Sequence, residues 1–330
     1  MSIAKFHLRE PKNEPYLSYA PGTPEREALQ AELKRLKSQT IEIPAIIGGK
    51  EFKTGNTYDV VCPHNHGHVL AKAHLCGEKE VAMAIDASKK AQKDWADLPW
   101  EERAAVFNKA ADLIAGRYRN LMNASTMLGQ SKTAQQAEIE AAGELCDFFR
   151  FNSWYYQRLI EDQPYSPDGM WNRVEYRPLE GFVFGVSPFN FTAIAGNIPG
   201  APALCGNVVL WKPSPTAFYS NYFLMTILQE AGLPDGVINF LPGMGADVGD
   251  PALASPDLSG LHFTGSAGTF HHLWKTIGNN IETYKTYPRI VGETGGKDFI
   301  FAHESADPVV IATAAIRAAY EYQGQKCSAA

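Results

Sequence analysis

The sequence lacks both a long apolar run and an excess of positive charge. No stretch approaches the roughly 18 apolar residues that a membrane-spanning helix requires. Lys and Arg total 30 against 36 Asp and Glu, which gives a formal net charge of -6. No basic face is therefore expected for nucleic acid or an anionic membrane. These absences favour an ordinary soluble globular protein.

Cysteine is also scarce, with five residues scattered through 330 positions. A chain of this length with 45% hydrophobic residues can bury a core without disulfides. Isolated thiols are typical of a reducing compartment. The first residues have neither the apolar run of a secretory signal nor the Arg- and Ser-rich composition of a transit peptide. We therefore expect a cytoplasmic protein, or a mitochondrial matrix protein whose presequence has been removed.

Before residue 181 the sequence is mainly helical in pattern. Apolar residues recur at helical spacing in 24–37, 79–97, 101–118 and 120–160. The segment TIEIPAIIGGKEF, which ends at residue 52, predicts two strands joined by a glycine turn. No repeat or low-complexity tract interrupts this part of the chain.

From residue 181 onward, short β-rich runs alternate with helices. Alternation of this kind indicates an α/β fold with a doubly wound parallel sheet. Ligands of such sheets bind where strands give way to loops. The residues that follow each predicted strand are therefore the candidates for function. The Pro-, Asp- and Gly-rich segment 163–180 that precedes this region is interpreted as an exposed hairpin or linker.

Two strand ends carry polar residues that could act on a ligand. In SPFNF at 187–191, the Asn190 amide could donate a hydrogen bond to a developing oxyanion. In WKPS at 211–214, Lys212 could reach ribose hydroxyls or phosphate. Each has a simpler interpretation, because Asn is a common turn residue and Lys212 could be solvated before a helix capped by Ser214.

Two glycine-containing segments follow. In FTGSAGT at 263–269, Gly265 permits close backbone approach and Ser266 stands at a helix start, where phosphate binds favourably. The segment GMGADVG at 243–249 resembles a dinucleotide fingerprint but has one residue too many before its last glycine. We interpret 243–249 as a loop.

The last pair of segments contains a carboxylate and a thiol. Glu293 lies among glycines in GETGGK at 292–297, and Cys327 follows Lys326 in a polar loop. A neighbouring cation favours the reactive thiolate. Taken singly, a cysteine is more often a small buried hydrophobe and a glutamate is usually solvated.

Together and in this order, these segments resemble the aldehyde dehydrogenase superfamily. Its members have an Asn in P-x-N, a Lys in W-K-P, an F-T-G-S turn, a Glu before G-G-K and a Cys in G-Q-x-C. Glu293 and Cys327 are 34 residues apart, like the general base and nucleophile of the family. NEPYLSYAPGTPER, AEIEAAGELCDFFRFN, GETGGK and YQGQKCSA extend the resemblance over nearly the whole chain. They point to the branch that oxidises L-glutamate γ-semialdehyde to L-glutamate in proline breakdown.

The resemblance implies an oxidation through a covalent thioester. Cys327 would attack the aldehyde carbon, Asn190 would hold the resulting oxyanion, and Glu293 would activate the hydrolytic water. The residues expected to contact the substrate are Phe191, Ser328 and Glu144.

The resemblance also implies NAD as the cofactor, bound by a Rossmann-like domain. The residues assigned to NAD are Ser187, Lys212, Gly265, Ser266, Ala267, Gly268 and Thr269. Many NAD-preferring members have an acid three residues after the lysine, which repels a 2′-phosphate. Pro215 occupies that position here, so NADP remains open as an alternative.

The domain boundaries follow from the same resemblance. Residues 1–40 form an N-terminal arm and helix, and 41–292 form the NAD-binding domain, whose inserted hairpin near 163–180 serves oligomerisation. Residues 293–330 begin an α/β catalytic domain. Because the sequence stops three residues after Cys327, we expect a fragment, or a chain completed by another polypeptide. Such a chain would turn over little substrate alone and form a homo-oligomer when complete.

Three rival hypotheses remain. The segment CPHNHGH at 62–68 could hold zinc through Cys62, His64, His66 and His68. A polar hairpin explains it better, so we expect no metal. The chain could also be a non-catalytic relative that serves as a binding or assembly subunit. Within the enzyme class, the substrate could be another small aldehyde.

Overall fold

The computed structural model describes residues 7–330, which form two β-sheets and the helices that cover them. The strands are β1 (Ile41–Ile43), β2 (Ala45–Ile47), β3 (Lys50–Phe52), β4 (Thr57–Cys62), β5 (Asn65–His74), β6 (Phe182–Val186), β7 (Val208–Lys212), β8 (Ile238–Phe240), β9 (Leu258–Gly265) and β10 (Arg289–Thr294). The helices are α1 (Pro24–Lys37), α2 (Glu78–Asp97), α3 (Trp100–Ala115), α4 (Arg119–Gln130), α5 (Ala134–Ala137), α6 (Leu145–Glu161), α7 (Thr192–Leu204), α8 (Phe218–Ala231), α9 (Gly245–Ala254), α10 (Ala267–Asn279) and α11 (Pro308–Tyr320).

The larger sheet has seven strands in the order β10-β9-β6-β7-β8-β2-β3. The first five are parallel, and β2 and β3 add an antiparallel edge. Helices follow β6, β7, β8 and β9 in the chain, which is the connection that parallel neighbours require. The predicted α/β fold with a parallel, doubly wound sheet is confirmed.

Burial of both faces explains why the central strands are almost entirely apolar. In β7, Val209 and Trp211 belong to the core beneath α3, α7 and α8, whereas Val208 and Leu210 belong to the core beneath α2, α9 and α10. This division follows the two-residue period of a strand. A strand with no solvated face fixes the sheet in the middle of the molecule.

The smaller sheet has three strands in the order β1-β5-β4. Strands β4 and β5 form an antiparallel hairpin, and β1 runs parallel to β5. The strand–turn–strand unit predicted from TIEIPAIIGGKEF is present as β2 and β3 of the larger sheet. Gly48 and Gly49 both have positive φ in its turn. Among the described residues, no helix has the length and apolar character needed to cross a membrane.

The prediction of one helical stretch over 120–160 is wrong in detail. Ser131 adopts a left-handed φ of 54° at the end of α4, which breaks the helix. Thr133 then caps α5 by accepting from the backbone N–H of Gln136. The wider turns of a π-helix, Glu138–Glu144, connect α5 to α6. A π segment inside a helical run is uncommon and often occurs at functional sites.

Segment 163–180 is exposed, as predicted, but it contains no strand and so is not a β-hairpin. It is held by side chain–backbone hydrogen bonds instead. Gln163 Oε1 accepts from the Val174 amide, and Ser166 Oγ accepts from the Asn172 amide. The polar side chains therefore close the loop without a ladder of backbone pairs.

The N-terminal arm packs on the helices through a buried charge network. Arg119 forms ion pairs with Glu14 and Glu138, and the Tyr19 hydroxyl donates to Glu138 over 2.7 Å. Tyr19 is itself buried. The N-terminal arm thus contributes one residue to the core.

Gly181, just before β6, has a backbone conformation that strongly favours glycine. Gly181 has a φ of +121°, and a Cβ there would lie 2.1 Å from the carbonyl oxygen of Asp257. Gly22 also has positive φ, but nothing lies within 4 Å of its Cβ position.

We expect Gly181→Ala to lower the free energy of unfolding by about 2–3 kcal/mol more than Gly22→Ala, because it adds a backbone clash to the strain. Denaturant unfolding of both variants measures this, and equal losses would contradict it.

Candidate active site

A cavity of about 430 Å³ opens where four parallel strands end. Strands β6, β7, β9 and β10 end at Val186, Lys212, Gly265 and Thr294, and all four residues line the cavity. Carboxyl ends of parallel strands lie on the same edge of a sheet, and this is where ligands of open α/β sheets bind. The cavity therefore occupies the position that the sequence predicted.

The three residues assigned to catalysis all line this cavity, although they come from separate parts of the chain. Asn190 belongs to the loop after β6, Glu293 lies on β10, and Cys327 belongs to the turn after α11. The Asn190 side-chain N–H donates to the backbone carbonyl of Gln325 over 2.7 Å. Since an amide nitrogen carries two hydrogens, the second N–H can still donate to a ligand oxygen.

The Cys327 turn is held from two sides. Lys297 Nζ donates to the carbonyl of Gly324 over 3.0 Å, and the Asp298 amide donates to the carbonyl of Ala329 over the same distance. The chain enters this turn through Tyr322 and Gln323, which both have left-handed backbone angles. Strained backbone of this kind persists where the surroundings dictate it.

Glu293 lies on the edge strand β10, where its backbone is paired with Thr264 of β9. Its side chain is exposed towards the cavity mouth rather than packed in the core. The preceding residue must be glycine, because a Cβ on Gly292 would lie 2.2 Å from the ring of Phe270. The glycine allows α10 to pack closely over β10 and so fixes the strand that carries Glu293.

Lys212 is a buried lysine at the end of β7. Its side chain donates to the carbonyl of Pro213 over 3.3 Å. Burial lowers the pKa of Lys212 to about 8, and no acidic neighbour offsets the cost. An ammonium in this state favours a ligand that supplies oxygen acceptors. Ser187 lies nearby, where its Oγ accepts from the indole N–H of Trp211.

The glycine-rich turn after β9 leads into α10. Gly265 and Ser266 line the main cavity, and Ser266 Oγ caps the helix by accepting from the Thr269 amide over 3.2 Å. The serine hydroxyl is therefore used for capping, and it also shares a hydrogen bond of 2.8 Å with the Thr269 hydroxyl. Ala267 is exposed in the first turn of α10 and lines neither this cavity nor its neighbour.

A second cavity of about 390 Å³ lies beside the first and shares Val186, Lys212 and Thr269 with it. Its other lining residues include Gly268 and four residues of α9, namely Gly245, Ala246, Gly249 and Asp250. The interpretation of 243–249 as a loop is therefore wrong, since α9 begins at Gly245. The repeated small residues could have indicated a cavity, because nothing lies within 4 Å of a Cβ position at Gly245 or Gly249.

The residues assigned to the substrate do not line the main cavity. Phe191 and Glu144 lie instead around Lys326, the residue before Cys327. The Lys326 ammonium is 5.7 Å from the Phe191 ring centroid, and its charge partly offsets the rise that burial causes in the Glu144 pKa. Ser328 is exposed on the far side of Cys327. A second lysine, Lys132, also lies near these residues. It could not be identified from the sequence, because it lies in a stretch whose apolar residues recur at helical spacing.

The described residues give no support to the zinc hypothesis. Within residues 7–330, no group of three or more His, Cys, Asp or Glu side chains is arranged to hold a metal ion. Cys62 Sγ lies 3.2 Å from His64 Nε2, and His64 Nδ1 hydrogen-bonds Ser131 Oγ over 2.8 Å. The segment is the polar end of the β4–β5 hairpin.

Comparison with known proteins places these features in a family. The family model described as "Aldehyde dehydrogenase family" matches residues 51–330. The Delta-1-pyrroline-5-carboxylate dehydrogenase of Agaricus bisporus is 53% identical over 329 residues, which are 99% of this chain and 60% of that protein. The Delta-pyrroline-5-carboxylate dehydrogenase from Mycobacterium tuberculosis, solved bound with NAD, superposes with a TM-score of 0.97 at 52% identity and covers 99% of this chain and 62% of its own. The 1-pyrroline-5-carboxylate dehydrogenase from Thermus, also with bound NAD, gives a TM-score of 0.90 at 31% identity, covering all of this chain and 63% of its own. The chain thus spans about 60% of the length of the curated relatives it matches.

Because Lys212 is buried, we expect the stability of the folded chain to depend on pH. Its pKa is about 8 in the folded chain and 10.5 for an ordinary lysine, so the unfolded chain binds more protons between these values. The free energy of unfolding therefore rises with pH over this window, by about 3 kcal/mol for this group. Lys212→Met should lose that rise, whereas the half-exposed control Lys72→Met should keep it. Denaturant unfolding at a series of pH values between about 7.5 and 10.5 measures the difference. Parallel curves of unfolding free energy against pH for wild type and Lys212→Met would refute it.

Proposed function

The chain belongs to the aldehyde dehydrogenase family, and on that premise we propose that it oxidises L-glutamate γ-semialdehyde to L-glutamate with reduction of NAD. The observation that carries the proposal is the meeting of a thiol, an amide donor and a carboxylate in one cavity: Cys327, Asn190 and Glu293. The names of the relatives supply the substrate, because the three relatives described above are named 1-pyrroline-5-carboxylate dehydrogenases.

Each of the three residues has a role that its chemistry allows. The Cys327 thiolate attacks the aldehyde carbon and forms a C–S bond, giving a thiohemiacetal whose oxyanion accepts from the second N–H of Asn190. NAD, when bound, supplies the acceptor for the hydride that leaves the carbon, and Cys327 is then held as a thioester. Glu293 takes a proton from water, which hydrolyses the thioester and returns the thiol.

The two adjoining cavities fit a dinucleotide. We assign Ser187 and Lys212 to its ribose side, where a buried ammonium lacks an acidic partner. The turn 265–269 is assigned to the pyrophosphate, because it leads into the N-terminus of α10. The small residues of α9 leave room for a flat ring in the second cavity. Since Pro215 supplies no acid against a 2′-phosphate, we propose NAD with weak discrimination against NADP.

The amino-acid part of the substrate would lie on the other side of the Cys327 turn. There Glu144 is half-buried near Lys326, and Phe191 covers the same lysine. We assign the Glu144 carboxylate to the substrate amino group, and Phe191 and Ser328 to the remainder of the chain. The opposite charges of the substrate explain why both an acid and a base occur here.

We further propose that the protein acts as a homo-oligomer in a reducing compartment, either the cytosol or a mitochondrial matrix. Five large apolar side chains of segment 163–180 are exposed: Tyr165, Met170, Trp171, Val174 and Tyr176. An exposed apolar patch of this kind favours association. The five cysteines are all unpaired in the structure, which is consistent with reducing conditions.

Substitution of the nucleophile gives the decisive test. We expect Cys327→Ala to abolish NADH formation from glutamate semialdehyde, because no thiohemiacetal can form without the thiol. Cys205→Ala is the matched control, since Cys205 is an exposed thiol at the other end of α7, and it should retain wild-type turnover. NADH absorbance measures both, and turnover by Cys327→Ala would overturn the mechanism.

A panel of aldehydes in the same assay separates the remaining alternatives. Preference for glutamate semialdehyde supports the proposed substrate, whereas preference for an uncharged small aldehyde would contradict the role of Glu144. A folded chain that binds NAD but oxidises no aldehyde would fit either the binding or assembly subunit or a chain that another polypeptide completes.

A further inference from the structure

A buried ion pair lies directly behind the catalytic cavity, although neither member lines it. Lys132 Nζ is 2.6 Å from Glu140 Oε1, and the side chains are 0% and 3% exposed. Lys132 lies in the short break between α4 and α5, and Glu140 lies in the π segment. The helical interruption that sequence patterns missed thus places two opposite charges beside each other in the interior.

Lys132 contacts both segments that form the active site. Its ammonium donates to the backbone carbonyl of Asn190, the proposed oxyanion donor. The same ammonium lies 4.7 Å from the ring centroid of Phe191 and 4.7 Å from that of Tyr322. Tyr322 is the left-handed residue that opens the Cys327 turn. One cation is therefore placed between the 189–191 loop and the 321–328 turn.

Glu140 fixes this cation to the helical frame. Its second carboxylate oxygen accepts from the Thr192 amide over 3.0 Å, at the first residue of α7. Thr192 follows Asn190 by two positions, so the carboxylate holds the far end of the same loop. The Tyr322 hydroxyl in turn donates to the carbonyl of Gln130, at the end of α4. Both loops are tied to the α4–α6 region at this one place.

Stability alone does not explain why the pair is retained. Burial raises the pKa of Glu140 to about 7 and lowers that of Lys132, which shows that the interior disfavours both charges. Apolar residues of similar size often replace a buried ion pair with no loss of stability. A buried cation instead brings directional hydrogen bonds and attraction to ring faces, which fix geometry.

From these contacts we propose that Lys132, held by Glu140, is a positioning residue that sets the Asn190 amide relative to Cys327 by joining their two loops. The proposal rests on the proposed function for the roles of Asn190 and Cys327. The joining itself is a structural property of the chain and can be tested separately.

The test removes the cation without leaving an unpaired buried charge. In Lys132→Met/Glu140→Gln, the methionine fills the lysine volume and the glutamine carbonyl still accepts from the Thr192 amide. Lys72→Met serves as the control, because Lys72 is a half-exposed lysine of the β-hairpin sheet. Hydrogen–deuterium exchange by mass spectrometry then follows peptides that cover 189–192 and 321–328.

We expect exchange in both peptides of the double variant to rise together by about tenfold, the effect of losing one charged hydrogen bond. Peptides of β6 and β7 should remain as in wild type, which shows that the fold is retained. In the aldehyde assay, kcat should fall by about 100-fold, the effect of a misplaced reacting group, while KM for NAD changes less than about threefold. Unchanged exchange, or a rise in one peptide alone, would overturn the proposal.

A second pair of variants keeps the test valid if the double variant fails to fold. Tyr322→Leu removes one ring from the cation, whereas Tyr322→Phe keeps the ring and loses only the hydroxyl. Faster exchange at 189–192 in Tyr322→Leu but not in Tyr322→Phe supports the proposal, and equal exchange in the two contradicts it. Turnover by Cys327→Ala would refute the proposed function and leave this exchange result standing.

Discussion

Parallel pairing of β10, β9, β6 and β7 is the constraint on which the rest of the structure depends. Parallel strands that are buried on both faces place all their carboxyl ends on one edge, and each strand must be followed by a connection that returns to the other edge. The loops that leave the strands therefore share one place, and residues more than a hundred positions apart, such as Lys212 and Cys327, line the same cavity. The sheet thereby brings the functional residues together.

The site is also organised by cations in places that exclude water. Lys212 is buried at the end of β7, and Lys132 is buried behind the loop that carries Asn190. Each has a lowered pKa because of burial, but their surroundings differ. Lys132 is satisfied within the chain by Glu140 and two aromatic rings. Lys212 has only a neighbouring carbonyl, which is the arrangement expected of a side chain that meets a ligand.

Local motifs and long-range pairs differed in how well they could be predicted. Asn190, Glu293 and Cys327 could be identified because each lies in a short, recognisable segment, and the order of the segments is distinctive. The helix α9 was missed because its glycines were compared with a single dinucleotide spacing, although small residues over a cavity were the physical signal. Lys132 and Glu140 could not be found at all. Their meeting depends on the break at Ser131 and on the π segment, neither of which changes the helical pattern of apolar residues.

The proposed oxidation passes through a thioester on Cys327 that Glu293 hydrolyses. Intact-protein and peptide mass spectrometry of Glu293→Gln, after exposure to glutamate semialdehyde and NAD, tests it most directly. The account predicts an acyl adduct of the substrate on the Cys327 peptide, because the variant can form the thioester but hydrolyses it slowly. An adduct on another residue, or full turnover by Glu293→Gln with no adduct, would contradict the account.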